Sequence, residues 1–197
     1  MVGVSAFSRG RIALSLGLAA ALLGLGACGS SSSSTPNGYY TSTPAPGARP
    51  SAAASPGTAG LSQYLSTDAA AKSVTIDLIA GKSGASNTFN FNGYTDGKLT
   101  ISVPVGWKVT VNCHNQGAIP HSCSVVSGAS STTPAFPGAT SPNPVSGVPP
   151  GGTQTFSFTP DRAGTFRIAC LVPGHEDAGM WATFQVTASG SPSITAS

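Results

Sequence analysis

Residues 170–180 read CLVPGHEDAGM and join two strand-like segments near the end of the 197-residue chain. The stretch holds a thiol, an imidazole and a thioether, at Cys170, His175 and Met180, with four residues in each gap. Alternate residues of a strand face the same side of a sheet, which puts Cys170 and Met180 on the apolar faces of their strands. The sequence therefore predicts that both side chains lie at the inner rim of neighbouring strands, with His175 on the connecting loop.

A trigonal copper site made of one thiolate and two imidazoles would need a second histidine. Thiolate, imidazole and thioether are the soft and borderline donors that suit copper. The chain has only two further histidines, His114 and His121. His121 opens a run in which it shares a face with Cys123 and Val125, whereas His114 falls on the polar face of its own strand. We therefore predict His121 as the second imidazole ligand.

The arrangement resembles the type 1 copper site of the cupredoxins. A Cys-x4-His-x4-Met pattern after a strand, with a histidine at the start of an earlier strand, is similar above all to the sulfocyanins and more loosely to rusticyanin. The resemblance covers roughly residues 74–186. It extends beyond the ligands to these segments: Phe89-Asn90-Phe91-Asn92-Gly93, Val103-Pro104-Val105-Gly106-Trp107, Ile119-Pro120-His121, Pro173-Gly174-His175 and Ala178-Gly179-Met180-Trp181.

The resemblance implies an all-β fold, a cupredoxin-like Greek-key β-sandwich, and an electron carrier rather than an enzyme. It implies one type 1 copper ion as the cofactor, held by His121, Cys170, His175 and Met180. Ser122 stands where many cupredoxins have Asn, and rusticyanin-like proteins with Ser at this place have a high potential. Because hydrogen bonds to the thiolate shift the potential, we expect Ser122 to act on Cys170 and the potential to be high.

The β-sandwich is also visible in the residue pattern itself. Alternating apolar residues predict strands over 74–78, 99–103 and 107–113, and a short strand over 88–91, with recurrent glycine turns between them. No long amphipathic helix interrupts this pattern. Residues 127–152 are rich in Ser, Thr, Pro and Gly, and we predict a long loop packed over the flank of the sandwich.

The first 27 residues have the features of an export signal. Arg9 and Arg11 precede a short apolar run, which is followed by small residues. The sequence before Cys28 also resembles a bacterial-type lipobox, which implies cleavage before Cys28 and lipid attachment to its sulfur. The alternative is an uncleaved anchor. Both place the domain outside the cytoplasmic membrane, and we expect it at the extracytoplasmic face, anchored through Cys28.

The remaining boundaries follow from composition. Residues 28–60 are Ser, Thr, Pro, Ala and Gly with scarcely any large aliphatic side chain, which predicts a disordered tether. The cupredoxin domain is predicted over 61–188, beginning with a short helix over 61–72. Residues 189–197 are predicted to be a flexible polar tail.

The four cysteines can be assigned one by one. With Cys28 given to lipid and Cys170 to metal, Cys113 and Cys123 remain, on core faces of consecutive strands. In an oxidising compartment we expect them to form a disulfide that braces the strand beginning at His121. The alternative is that both are small buried hydrophobic residues.

Other metals and other functions fit the sequence less well. Zinc would prefer a fourth Cys, His or carboxylate, a binuclear copper centre would need a second cysteine in the loop, and multicopper oxidases carry His-x-His motifs that this sequence lacks. Taken singly, Met180 could be an ordinary core residue, His121 a buried histidine and His175 a surface loop residue. The rival functions are an extracytoplasmic copper chaperone or storage protein, an enzyme with Cys170 as nucleophile and His175 as base, and a metal-free adhesion domain.

Charge and composition bear on the partners. Without Arg9 and Arg11 the chain has seven Lys and Arg against six acids, and no basic tract indicates nucleic acid. We expect a monomer whose partners are redox proteins such as a cytochrome or a terminal oxidase. The predicted electron port is an apolar patch around the edge of His175, formed by Ile119, Pro120, Leu171, Val172, Pro173 and Ala178.

Overall fold

The structure, a computed structural model, describes residues 60–197. The predicted signal peptide, Cys28 and all but the last residue of the predicted tether lie outside these residues. Within them, no helix is long and apolar enough to cross a membrane. Over residues 60–197, a single 3-10 turn, Ser62–Tyr64, precedes nine strands: β1 Leu65–Asp68, β2 Ser73–Ala80, β3 Leu99–Pro104, β4 Lys108–Asn115, β5 Ser124–Val126, β6 Thr153–Phe158, β7 Gly164–Ala169, β8 Trp181–Thr187 and β9 Ser193–Ala196.

The strands form two sheets. The first has the order β1-β2-β4-β6 and the second β5-β7-β8-β3-β9. The chain passes from one sheet to the other at every connection from β2 to β7, so that β2 pairs in parallel with β4, and β3 with β8. The predicted all-β Greek-key sandwich is therefore confirmed.

Alternation along the strands creates the core between the sheets. In β4, Val109, Val111 and Cys113 are buried while the residues between them are more exposed. The two inner faces meet directly, as between Phe158 of β6 and Phe184 of β8, whose ring centroids are 5.8 Å apart. Burial of such faces is the main favourable contribution to folding. The site described below is built at one end of this core.

The predicted disulfide is confirmed. Cys113 in β4 and Cys123, just before β5, are bonded with a Cα–Cα distance of 6.0 Å. Because β4 and β5 belong to different sheets, the bond connects the two layers of the sandwich. It fixes the segment that carries His121 two residues away.

The long loop over residues 127–152 packs against the flank of the sandwich, as predicted. Its Phe136 side chain is 1% exposed and joins the main core. Three isolated bridges attach it to the segment around β5: Val126 with Pro134, Ser124 with Thr140, and His121 with Val148.

Three local predictions are wrong. Residues 61–72 form the 3-10 turn and β1 instead of a helix, because a turn over Asp68–Lys72 pairs β1 with β2. Residues 88–91 are not a strand, and only Phe91 makes isolated bridges, with Ala80 and Tyr94. The predicted tail contains β9, which pairs antiparallel with β3 and buries Ile194.

Candidate metal centre

Cys170 and Met180 meet at the end of the β7–β8 pair. Ala169 of β7 lies opposite Trp181 of β8, and the Cys170 amide donates to the Met180 carbonyl at 3.2 Å. Each side chain continues the inward face of its strand and is at most 1% exposed. The parity argument from the sequence is therefore confirmed for both residues.

The loop between them turns tightly and carries His175. The Met180 amide donates to the His175 carbonyl at 3.0 Å, and the His175 amide donates to the Val172 carbonyl at 3.1 Å. Gly174 and Gly179 have φ values of 81° and 93°, a left-handed conformation that glycine adopts without steric cost. These turns bring His175 back over the end of the core.

His121 is positioned by backbone pairing and by two glycines. Its amide and carbonyl bond to Val148 at 3.1 and 2.6 Å. Its Nε2 edge lies against Gly81 and Gly117, where a Cβ atom would come within 2.9 Å and 2.7 Å of Nε2 respectively. The absence of side chains at these two positions makes room for the imidazole and leaves Nδ1 facing the loop.

The donor atoms of the three residues converge. The Nδ1 atoms of His121 and His175 are 3.2 Å apart, and Nδ1 of His175 is 3.3 Å from Sγ of Cys170. All three donors lie within 4.8 Å of one another. These separations fit a common ion, since metal–nitrogen and metal–sulfur bonds are about 2.0 to 2.3 Å long. Met180 is fully buried at the same end of the sandwich.

Burial keeps the two imidazoles neutral. It lowers the pKa of His121 to about 4, with a further contribution from the neighbouring His175, and it also lowers the pKa of His175. A neutral imidazole has a free nitrogen lone pair for a metal. Burial raises the pKa of the Cys170 thiol, and hydrogen bonds from Ser122 and Val172 oppose that shift. Metal binding at Cys170 is therefore coupled to loss of the thiol proton.

Ser122 contacts the sulfur rather than the donor nitrogens. Its amide donates to Sγ of Cys170 at 3.2 Å, and its hydroxyl lies 3.7 Å from the same atom. The hydroxyl oxygen also accepts the Leu171 amide at 2.8 Å. With that acceptor role occupied, the single hydroxyl proton is free to point toward the sulfur. The structure thus places Ser122 where the sequence analysis expected it to act.

Glu176 anchors the ligand loop, residues 171–179, to β7 and to the long loop over residues 127–152. One carboxylate oxygen pairs with Arg167 at 3.0 Å, and the other accepts the Ser130 amide at 3.1 Å. The Arg167 guanidinium in turn lies 3.8 Å from the centroid of the Trp181 ring. Neither the Glu176–Arg167 ion pair nor the cation stacked on Trp181 could be predicted from the sequence, because such contacts leave no spacing signal.

The apolar patch predicted around His175 is only partly as expected. Ile119 is 38% exposed, but His175 itself is 8% exposed and Leu171 is 9% exposed.

Phe89 is a further residue of the centre, which the sequence indicated only as part of a motif and without a role. Its ring lies against the rings of both histidines. The motif was the available signal, but it did not show where the ring points.

His114 lies away from the centre, as predicted. It is on the outer face of β4, where Nδ1 is 2.8 Å from the Thr153 hydroxyl and Nε2 is 3.6 Å from an Asp77 carboxylate oxygen. It lines a surface groove of about 690 Å³ with Tyr64. The choice of His121 over His114 is therefore supported by the positions of both residues.

A two-sheet β-sandwich with these donors at one end defines the cupredoxin class, and the donor set is compatible with a single type 1 copper ion. Residues 61–195 match the family model described as the sulfocyanin (SoxE) domain. The chain belongs to the sulfocyanin family of blue copper proteins.

The chain is also similar to individual proteins. The chain is 33% identical over 124 residues to the sulfocyanin of Sulfolobus acidocaldarius, a match that covers 56% of this chain and 62% of that protein. Among solved structures, dithionite-reduced auracyanin from Roseiflexus castenholzii is 24% identical, with 57% of this chain and 96% of that chain covered and a TM-score of 0.42. Reduced rusticyanin is 22% identical, with 66% and 93% covered and a TM-score of 0.43.

Proposed function

We propose that this protein is a one-electron carrier that exchanges electrons through a mononuclear type 1 copper centre in a membrane-associated respiratory chain. The observation that carries the proposal is the buried convergence of Nδ1 of His121, Sγ of Cys170 and Nδ1 of His175. Met180, at the same end of the core, is proposed as the weak fourth ligand.

The proposed ligand set suits a carrier because two imidazoles, a thiolate and a weak thioether serve both oxidation states with little movement. When bound, copper supplies the Cu(I)/Cu(II) couple. Cys170, His121 and His175 would hold the ion, and their burial in the core limits access of water. Ser122 donates hydrogen bonds toward the thiolate, and such bonds help to set the potential.

A role as carrier rather than enzyme is supported by the burial of the donors. Cys170 is 1% exposed, and burial raises the pKa of its thiol. A catalytic cysteine instead needs an accessible sulfur with a lowered pKa. The rival with Cys170 as nucleophile and His175 as base therefore lacks both conditions.

We also propose the cellular setting that the sequence indicates. Lipid on Cys28 would hold the domain at the extracytoplasmic face of the cell membrane, where a cytochrome or terminal oxidase could exchange electrons with a monomer. The Cys113–Cys123 disulfide supports an oxidising compartment. Mass spectrometry of the membrane fraction tests the anchor, because Cys28 should be the N-terminal residue and carry lipid, and a Cys28→Ala variant should carry none.

Absorption spectroscopy of the domain with Cu(II) tests the carrier function. We expect an intense band near about 600 nm, arising from thiolate-to-copper charge transfer, and a reversible one-electron titration. Cys170→Ser and His121→Ala should abolish the band, whereas the matched control His114→Ala should retain it. A colourless loaded protein, or a band that survives His121→Ala, would contradict the assignment.

The copper chaperone or storage alternative predicts a different exchange rate. A site that delivers copper must release it readily, whereas donors buried in a sandwich core should hold it. Incubation of the Cu(I) form with an excess of a strong chelator separates the two functions. Slow loss of copper supports the carrier, and complete transfer within the mixing time would favour the chaperone.

A further inference from the structure

Phe89 lies against both imidazoles of the metal centre. Its ring centroid is 4.8 Å from that of His175, at an interplanar angle of 58°, and 6.5 Å from that of His121, at 88°. Phe89 is partly exposed, whereas His121 is 0% and His175 8% exposed. The phenyl ring therefore covers the histidines on a side that faces solvent.

The segment that carries Phe89 is held by asparagine side chains instead of strand pairing. The side-chain Nδ2 of Asn87 donates to the Ala178 carbonyl at 3.1 Å, across to the ligand loop, while its side-chain Oδ1 accepts the Phe89 amide at 2.9 Å. Asn87 thus ties the residue that covers the histidines to the loop that carries one of them.

Asn90 holds the same segment from beneath. It is fully buried, and its amide oxygen accepts the amides of Lys82 and Gly93 at 3.1 and 2.9 Å. Its amide nitrogen donates to the carbonyls of Lys82 and Asn87 at 3.2 and 2.6 Å. These four bonds use the whole donor and acceptor capacity of an asparagine side chain. The backbone on either side of Phe89 is fixed as a result.

We propose that Phe89 is a positioning residue of the metal centre. Its ring fixes the orientation of the His175 ring and closes the histidine side of the site to water and small anions. An apolar ring in edge or tilted contact with an imidazole restricts rotation and offers no competing ligand. The inference rests on the proposed function, because that function makes the two histidines metal ligands.

Chemical modification of the metal-free protein tests the cover directly. Diethyl pyrocarbonate modifies accessible imidazoles, and His114, with a side chain 36% exposed, serves as an internal reference. Phe89→Ala should raise the modification rate of His175 relative to that of His114 by about tenfold. Without the phenyl ring, the local motion that exposes the His175 imidazole costs less free energy. Asn87→Ala, a milder change at a partly exposed residue, should raise it less.

The control is Phe156→Ala, which removes a buried ring that packs on Phe158 at 6.2 Å. It should leave the ratio of His175 to His114 modification unchanged. An unchanged ratio in Phe89→Ala, or an equal rise in Phe156→Ala, would overturn the proposal.

Azide titration of the Cu(II) protein gives a second measurement. The spectrum of the unmodified protein should not respond, that of Phe89→Ala should shift, and Phe89→Leu should restore resistance. An equal response of the unmodified protein would show that the ring excludes no anion. A protein that failed to bind copper would refute the carrier function alone, since the modification experiment would still decide the role of Phe89.

Discussion

Replacing Ser122 with alanine should weaken the fold and lower the reduction potential together. The hydroxyl oxygen accepts the Leu171 amide at 2.8 Å, and its proton is directed at Sγ of Cys170, 3.7 Å away. Without the oxygen, the Leu171 amide is buried without an acceptor. An unsatisfied buried donor costs about 1 to 3 kcal/mol, so we expect the free energy of unfolding to fall by that amount.

The change in potential follows from the charge on the sulfur. A hydrogen bond withdraws electron density from the thiolate and so disfavours Cu(II) relative to Cu(I). At a separation of 3.7 Å the bond is weak, and the Ser122 amide remains as a donor at 3.2 Å. A differential loss of about 0.5 to 1 kcal/mol corresponds to a fall of about 20 to 40 mV for a one-electron couple.

Ser141→Ala is the matched control for this experiment. Ser141 is equally buried, and its hydroxyl accepts the Cys123 amide at 3.3 Å. The Ser141→Ala variant should therefore have a lower free energy of unfolding, while its reduction potential stays constant. Spectroelectrochemical titration and urea denaturation measure the two effects separately. A potential that does not move in Ser122→Ala, or that moves as far in Ser141→Ala, would refute the reasoning.

The disulfide and the buried histidines give two further predictions. The double variant Cys113→Ala, Cys123→Ala should have a free energy of unfolding lower by about 3 kcal/mol, the loop-closure value for a separation of 10 residues. Its copper band should also be broader, because the segment that carries His121 loosens. A double variant as stable as the disulfide-bonded protein would contradict this prediction. The second prediction concerns pH. The free energy of unfolding of the metal-free protein should fall by up to about 3 kcal/mol as the pH falls from about 6.5 to about 4. In that window the unfolded state takes up a proton that folded His121, with its pKa lowered to about 4, does not, so stability is retained above it and lost below. Urea denaturation across the range checks this, and His121→Gln should flatten the slope.

Strand periodicity was sufficient to place Cys170 and Met180 on inward faces, whereas the full proposed ligand set also rested on the resemblance to the cupredoxins. Cys170 and Met180 sit at the ends of β7 and β8, where the inward and outward alternation of the strands still holds. The same rule separated His121 from His114 and put Cys113 and Cys123 on core faces of consecutive strands. Where a residue's direction is set by a strand, its neighbours in sequence are enough to predict it.

The parts that were wrong or missed depend on interactions with no period. The twelve residues 61–72 are marginal as an isolated helix, and Asp68 accepts the Ala71 amide at 3.0 Å in a turn between β1 and β2 instead. In β9 only Ile194 is buried and Ala196 is partly buried on the same face, so the apolar alternation is too short to predict a strand, and β9 forms because β3 offers it backbone partners. Phe89 is directed by asparagine hydrogen bonds, which spacing alone does not reveal.

The ligand loop is held from two sides by contacts that use none of the donor atoms. On one side Asn87 bonds to the Ala178 carbonyl, and on the other Glu176 is held by Arg167 and by the Ser130 amide. The geometry at Cys170, His175 and Met180 is therefore imposed by the sandwich and its flanking loops, and is not left to the preference of a bound ion. Small reorganisation is the property that the proposed electron carrier requires, and asparagine, glutamate and arginine contacts outside the proposed ligand set would favour it by limiting movement of the loop.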